Sequence, residues 1–415
     1  MKLVQIRRLP MALASLLMSL AIPLTVDSNQ PERYWIQVKA KDTIERSAVA
    51  NTGFAIEGTR EDFVYGTGTA EELAALQGMN RVENFYPLTE AMVALDFPNQ
   101  DSAYHNYNEV VDAMNLLVRE NSDVAELFTL GSSVQGTTIL GVRISTNLPT
   151  ANTKPGIFFV GGHHAREHLS VEMPLRFMQN FLKDYRAGNP RIVRMVEGRE
   201  IHIVPALNPD GLDYDIEDGR YKSWRKNRRQ NSNNTFGVDL NRNYGFKWGT
   251  GGSSSNPSSD TFKGPTPFSE PETTAVKNYL EARKNISIVL SFHTFSELIL
   301  FPWGHKNASI ENDQDRRVHE VMAQTMAGWN RYTPQRSSDL YIASGDLTDW
   351  SYGALKMISF TFELDPADMW SGGGFYPGAG VIPGVVQKNT EPCLYLIEHA
   401  DNPYRVLSKN PYRPI

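Results

Sequence analysis

The hydrophobic and polar positions divide this chain in two. Between residues 31 and 97, short apolar runs alternate with helix-like spacing. Residues 34–38, 53–57, 63–65 and 82–86 read as strands, rich in aromatic and β-branched side chains. Residues 44–50 repeat at helical spacing. Residues 69–78 carry a helix signature: the N-capping Thr69, an acidic first turn and the closing Gly78. The order β-α-β-β-α-β is that of a ferredoxin-like split unit. Residues 97–101 form a polar linker, so residues 27–100 are expected to be a small α+β domain.

From Tyr107 onward the pattern changes. Val110, Met114, Leu117 and Val118 mark a helix over 109–120, and residues 128–133 and 138–145 look like a strand pair joined through Gly136. Residues 154–160 and 200–205 are continuous apolar runs, as fully buried strands require, and 172–185 is an amphipathic helix. Asn208-Pro209-Asp210-Gly211 reads as a turn, and residues 212–262, rich in Gly, Ser, Asn and Arg, as mostly loop. Two further buried strands, 286–292 and 357–362, end at His293 and Glu363. Strands alternating with helices predict an α/β fold: a mixed, mainly parallel open sheet with helices on both faces over residues 101–400, then a tail at 401–415 with no readable role. Successive strand ends carry ionisable or turn-forming residues, which predicts one site at one sheet edge.

Composition narrows the partners. A net charge of −6 with no basic stripe argues against nucleic acid. The single cysteine, Cys393, excludes disulfides within the chain and lies in an apolar, helix-like run that reads as core. Lys2, Arg7 and Arg8 precede an apolar stretch at 11–22, too short to span a bilayer comfortably, and Ser19-Leu20-Ala21 offers small residues for cleavage. Residues 1–26 therefore read as a signal peptide, the alternatives being a short membrane anchor or a buried N-terminal helix. The expectation is a secreted or periplasmic protein, with no membrane contact after signal removal.

The candidate chemistry centres on Gly161-Gly162-His163-His164-Ala165-Arg166-Glu167-His168, which follows the strand at 154–160. His164 and Glu167 are close enough to share one ion, and a catalytic zinc takes three such protein ligands. His293, at another strand end 126 residues after Glu167, is a natural third. Asp239 could take the second ring N–H of a ligand histidine. Glu363 is a carboxylate in an otherwise apolar strand; near zinc it can serve as a general base toward the attacking water. Arg225 and Arg242 lie in polar stretches, and arginine grips carboxylates in a planar fork.

With these residues in place the chain resembles the zinc carboxypeptidases of the A and B type, and within them bacterial carboxypeptidase T, over about residues 104–400. The resemblance rests on five ordered blocks. They are Gly162-His163-His164-Ala165-Arg166-Glu167; Asn208-Pro209-Asp210-Gly211 with Trp224-Arg225-Lys226; Gly237-Val238-Asp239-Leu240-Asn241-Arg242-Asn243; Ser291-Phe292-His293 running on to Phe301-Pro302-Trp303-Gly304; and Tyr341-Ile342-Ala343-Ser344-Gly345 running on to Phe360-Thr361-Phe362-Glu363-Leu364.

The resemblance implies one zinc per chain, held by His164, Glu167 and His293, with Arg225 stabilising the oxyanion and Glu363 as base and then acid. It implies that Asn241 and Arg242 bind the substrate's terminal carboxylate, that Arg166 assists on the far side, and that Tyr341 closes over the bound residue. The pocket positions fall on Gly304, Leu340, Asp346, Leu347, Thr348 and Thr361. Neutral Thr348 with Asp346 on the wall implies a broad preference, apolar residues with Lys and Arg tolerated. Calcium is bound by carboxypeptidase T, but no ligands for it can be placed here. The expected partners are peptide or protein C-termini as substrate and the chain's own prodomain as inhibitor. The alternatives are a cell-wall peptide hydrolase on the same scaffold and a peptide-binding pseudoenzyme.

Overall fold

The computed structural model describes residues 32–60, 62–87, 103–219 and 221–408; the segment read as a signal peptide and the 97–101 linker lie outside the described residues. The N-terminal unit contains β1 (Arg33–Lys39), α1 (Thr43–Ala50), β2 (Ala55–Arg60), β3 (Phe63–Thr69), α2 (Ala70–Gly78) and β4 (Val82–Pro87). Its four strands pair antiparallel in the order β2-β3-β1-β4. Local chemistry sets the helix starts: Asp42 accepts from the Glu45 amide, and Thr69 and Glu72 form a reciprocal capping box. Ile36, Val38, Val64, Leu73 and Leu76 form its core, so the expected element order is the one observed.

The larger unit is built on eight strands in the order β11-β10-β12-β9-β7-β8-β6-β5. These are β5 (Ala125–Ser132), β6 (Thr138–Ile144), β7 (Gly156–Val160), β8 (Glu200–Val204), β9 (Ile286–Thr294), β10 (Leu298–Phe301), β11 (Thr333–Arg336) and β12 (Ile358–Leu364). The centre, from β12 through β9 and β7 to β8, is parallel, while β5, β6 and β10 join antiparallel. The sheet is thus mixed, with helices on both faces. The period of two along each strand sorts the side chains between two cores. Ile157, Phe159, Ile288, Leu290, Phe292, Phe360 and Phe362 face one way. There they meet α3 (Tyr107–Glu120), α4 (Leu169–Arg186), α5 (Pro190–Gly198), α6 (Pro209–Ile216), α8 (Asp313–Asn330) and α10 (Ile382–His399). Phe158, Val160, Val204 and Val289 face the other way, against α7 (Pro271–Ala282) and α9 (Leu347–Leu355). Cys393 is buried in α10.

Some readings change. Asn208-Pro209 does not make an isolated turn. The Asn208 side chain caps α6 by accepting from the Gly211 amide, with Pro209 in the first turn, where its missing N–H costs nothing. The stretch read as loop is largely irregular after α6, but it is not a surface loop. Trp224, Arg225, Lys226, Asn227, Val238, Asp239 and Leu240 are all buried. Its polar backbone is satisfied internally: the Asn227 side chain donates to Glu270 and Glu272 and accepts from the Val238 amide. In the tail, the turn Pro403–Leu407 docks on the domain, and Tyr404 donates to Asp315 at 2.8 Å. No helix among the described residues is long and apolar enough to cross a membrane.

Candidate active site

The sheet register builds the site. In the parallel pairing of β9 with β12, His293 lies opposite Glu363. The alternation that sends Phe292 and Phe362 into the core sends His293 and Glu363 the other way. Each buried phenylalanine contributes about 1.5–3 kcal/mol, which offsets the cost of holding a carboxylate in the same strand. At the end of β7 the chain must turn sharply around α4. Gly162 takes φ +66°, and a Cβ on Gly161 would come within 2.0 Å of the Ser170 carbonyl, so only glycine fits there. The turn is pinned by the Ser170 hydroxyl, which accepts from the Gly162 amide and donates to the Glu167 carbonyl.

The turn presents His164 and Glu167 beside His293. His164 Nδ1 lies 2.7 Å from Glu167 Oε1, His293 Nδ1 lies 2.8 Å from Glu167 Oε2, and the two ring nitrogens are 3.1 Å apart. Two imidazole nitrogens facing each other across a carboxylate make a site for a cation. It is the only group of three such ligands close enough to share a metal among the described residues. Nitrogen and oxygen donors in this number suit a catalytic zinc. His164 turns its other nitrogen to Asp239 Oδ1 at 3.0 Å, which fixes the ring. His163 is not part of the trio. It is fully buried beneath, 2.9 Å from the Tyr244 hydroxyl.

Asp239 also organises the cation beside the trio. Arg225 donates through Nε to Asp239 Oδ2 at 3.0 Å and holds Nη1 3.8 Å from Glu167. Burial opposes the charged form of Asp239, but Arg225 and then His164 hold its carboxyl well below the usual range. Burial likewise works against Glu167, yet His164 and His293 keep it below the ordinary carboxylate value. Glu363 goes the opposite way: burial and then the negative charge of Glu167 push it well above the ordinary value. A carboxyl shifted that way is suited to exchanging protons near neutrality.

The cavity beside the trio is lined by His164, Glu167, Arg225 and Glu363, and also by Asn241, Arg242, Tyr341, Gly304, Leu340, Asp346 and Thr361; Asn241 Nδ2 lies 3.4 Å from His293 Nε2. Arg242 donates to the Gly252 and Asn241 carbonyls at 3.1 and 2.8 Å and to the Tyr341 hydroxyl at 3.1 Å. Asn241 Oδ1 accepts from the Leu347 amide at 3.0 Å. Asp346 caps α9, accepting from the Asp349 amide, and burial followed by the charge of Asp349 raises its pKa to about 8. Three expected residues stand off the wall. Leu347 is fully buried in the core cluster with Trp350. Thr348 is behind Thr361, their hydroxyls 2.7 Å apart. Arg166 is fully buried under Phe375, its guanidinium carbon 4.3 Å from the ring centroid, and bonded to Glu57.

The sequence reading did not anticipate Ile56 and Glu57, from the N-terminal unit, on the same cavity. Glu57 pairs with Arg166 and reaches Arg225 at 3.6 Å. Nothing local marks it, because its arginine partners lie more than a hundred residues away. Leu300 and Ser337 were also missed. The apolar run Leu298-Ile299-Leu300-Phe301 was the available signal for the first.

An α/β sheet with a two-histidine, one-glutamate trio at its strand ends defines a metal-dependent hydrolase. A sequence profile described as zinc carboxypeptidase matches residues 110–392. The chain is 34% identical over 431 residues to a zinc carboxypeptidase of Saccharothrix mutabilis subsp. capreolus, spanning 97% of this chain and 98% of that one. It is 30% identical to carboxypeptidase A1 of Sus scrofa, over 73% of this chain and 72% of that one. The fold matches the crystal structure of carboxypeptidase A from Helicoverpa armigera with a TM-score of 0.72 at 22% identity, covering 91% of this chain and 98% of that one. It matches the crystal structure of thrombin activatable fibrinolysis inhibitor with 0.70 at 24%, covering 89% of this chain and all of that one. The chain belongs to the zinc carboxypeptidase family. It is a metallocarboxypeptidase, a zinc-dependent exopeptidase acting on peptide C-termini.

Proposed function

We propose that this chain is an exported proenzyme that removes apolar and basic C-terminal residues, with its N-terminal unit as a built-in inhibitor. What supports the reaction assignment is one cavity lined by His164 and Glu167 of the trio, Arg225 and Glu363 together with Asn241 and Arg242. His164, Glu167 and His293 would hold the metal. Bound zinc supplies Lewis-acid polarisation and acidifies water. Glu363 takes a proton from the attacking water and returns it to the leaving amine. Arg225, held by Asp239, aims positive charge where the oxyanion develops, often the largest catalytic contribution. Arg242 and Asn241 grip the terminal carboxylate, which fixes the scissile bond over the trio and makes cleavage terminal.

Three observations support the finer parts of the reading. Asp346 on an otherwise neutral wall suits both apolar and basic side chains. The basic residues Lys2, Arg7 and Arg8 before the apolar 11–22 stretch suit export. Glu57 occupies the two arginines that a peptide backbone would meet, which suits inhibition; Arg33 on Asp260, with Ser259 and Thr261 donating to the Gly53 carbonyl, clamps the same interface.

The experiment is to compare kcat/KM for one peptide as free acid and as C-terminal amide. Amidation leaves Arg242 facing a neutral group. Leaving one partner of a buried ion pair alone costs roughly 3–5 kcal/mol, so the rate should fall by two orders of magnitude or more. Equal cleavage of acid and amide would make the protein an endopeptidase or amidase and remove the carboxylate site.

A further inference from the structure

Arg225 is fixed at the far end of its side chain by Asp239, which accepts from Nε at 3.0 Å. That bond does not set the near end, the backbone from which the side chain starts. No helix or strand runs through residues 222–225, and Ser223 takes φ +51°, a left-handed conformation that residues other than glycine seldom adopt. Asp215, fully buried in the last turn of α6, holds this course. Its carbonyl accepts from the Lys222 amide at 2.8 Å and its side-chain Oδ1 from the Trp224 amide at 2.6 Å, one bond on each side of Ser223. Beyond them the Arg225 carbonyl accepts from the Ala165 amide at 3.1 Å, next to His164. Arg33 of the N-terminal unit also donates to the Ser223 carbonyl, at 2.8 Å, a bond that leaves with that unit.

The Asp215 carboxylate is itself well held. Oδ2 lies 2.9 Å from Nε2 of His168, the residue after Glu167, and the Tyr376 hydroxyl reaches both oxygens, at 3.1 and 2.9 Å. One buried carboxylate thus joins the turn that carries Glu167, the segment that carries Arg225 and the segment that follows β12. Burial alone demands hydrogen-bond donors. It does not demand that one of them be the amide next to Arg225. We propose that Asp215 is a positioning residue for Arg225. It does not line the cavity; it sets the backbone at Trp224 so that the guanidinium, pinned by Asp239, faces the cavity beside Glu167. The inference rests on the reading of Arg225 as the group that stabilises the oxyanion. Such a group works only where it is placed in advance, and a displacement of about 1 Å is enough to cost about 10²-fold in rate.

The test is a double-mutant cycle on the zinc-loaded full-length chain, with every variant activated by the same limited trypsin treatment. Zinc content, kcat and KM are measured with one C-terminal Leu peptide. Asp215→Ala should lose about 10²-fold in kcat, with zinc content and KM little changed. Asp215→Asn should recover most of that loss. The Trp224 amide can only donate, so the asparagine oxygen must turn to it, while His168 and Tyr376 can accept from the asparagine NH₂. Arg225→Gln alone should lose about 10²–10³-fold in kcat, as for an oxyanion donor. In that background Asp215→Ala should cost less than about twofold more, because two residues that act through one group are not additive. Where the alanine variant does not fold, Asp215→Glu carries the same cycle, since it keeps the charge and displaces it by one methylene. An equal loss in both backgrounds overturns the inference, because Asp215 then supports the fold at large or the turn at Glu167. An unchanged kcat in Asp215→Ala, or no recovery in Asp215→Asn, overturns it too. An unchanged kcat in Arg225→Gln instead overturns the oxyanion reading beneath it.

Discussion

The metal-binding trio and the recognition groups of the same cavity are built on opposite plans. At the trio, each charge already has its complement: Glu167 sits between two imidazoles and accepts the Thr294 amide at 3.2 Å, and Asp239 serves both His164 and Arg225. Among the recognition groups, neither Arg242, which is buried, nor Asp346, which is half-buried, forms an ion pair among the described residues. The trio stands on strand ends and a glycine turn. The recognition groups hang on the irregular segment around Leu240–Arg242 and the start of α9. The difference separates two tasks. The trio and Arg225 are fixed in advance, so their charges need little reorganisation during the chemistry, while groups that recognise the substrate keep their strongest interactions unspent until it arrives.

The comparison breaks most visibly at the trio. Stripping zinc with a chelator should abolish turnover, and adding it back should restore it. Full turnover by protein shown metal-free by elemental analysis would overturn the role given to the trio. Next in size, Glu363→Gln should retain zinc and substrate affinity and lose about 10²–10⁴-fold in kcat, the usual weight of a general acid–base group. The amide keeps the shape and cannot take the proton. A variant keeping more than about a tenth of the wild-type kcat, far above that range, would place the base elsewhere.

The N-terminal unit sharpens the comparison, because Glu57 engages Arg166 and Arg225 and forms no ion pair with Arg242. Glu57→Gln removes charge-assisted bonds worth roughly 1.5–3 kcal/mol, so the uncleaved chain should gain about tenfold or more in peptidase rate. If wild-type uncleaved and cleaved proteins are equally fast, the N-terminal unit is no inhibitor. If the uncleaved chain is slow and the variant equally slow, the latch is another contact.

How much of this could be read from the chain follows the same division. The strand-end residues were legible because a period of two is a strong signal, and because a carboxylate amid Phe360, Phe362 and Leu364 needs a reason. The helix caps and the β-α-β-β-α-β order were legible from local chemistry alone. Asn208-Pro209 was ambiguous, since the residues that start a helix are those that make a turn. β11, Thr-Pro-Gln-Arg, carries a proline and no apolar run; only its place at the sheet edge lets it pair. The burial of residues around Asn227 and Asp239 was hidden because polar side chains there satisfy one another across the fold. Glu57 was hidden for the same reason, and Thr348 stands one layer back because Thr361 takes the wall.

The smallest expected effect concerns Asp346. Burial and then Asp349 raise its pKa to about 8, while Arg242 pulls the other way. In the unfolded chain an aspartate titrates near about 3.9. The folded value is the higher one, so protonation favours the fold. That contribution is fully present below about pH 4 and is lost as the pH rises through 8. The pocket wall is therefore neutral at pH 6 and charged at pH 9. A substrate leucine prefers the neutral wall, and a lysine, still cationic at pH 9, prefers the charged one. The ratio of kcat/KM for a C-terminal Lys peptide to that for its Leu counterpart should rise several-fold between these pH values. Protonation changes at Glu363 cancel in the ratio, because both substrates share them. Asp346→Asn keeps the cap on α9, since asparagine caps as well as aspartate, and should flatten the profile. A ratio that stays flat in the wild type, or rises equally in the variant, would remove Asp346 from the specificity of the pocket.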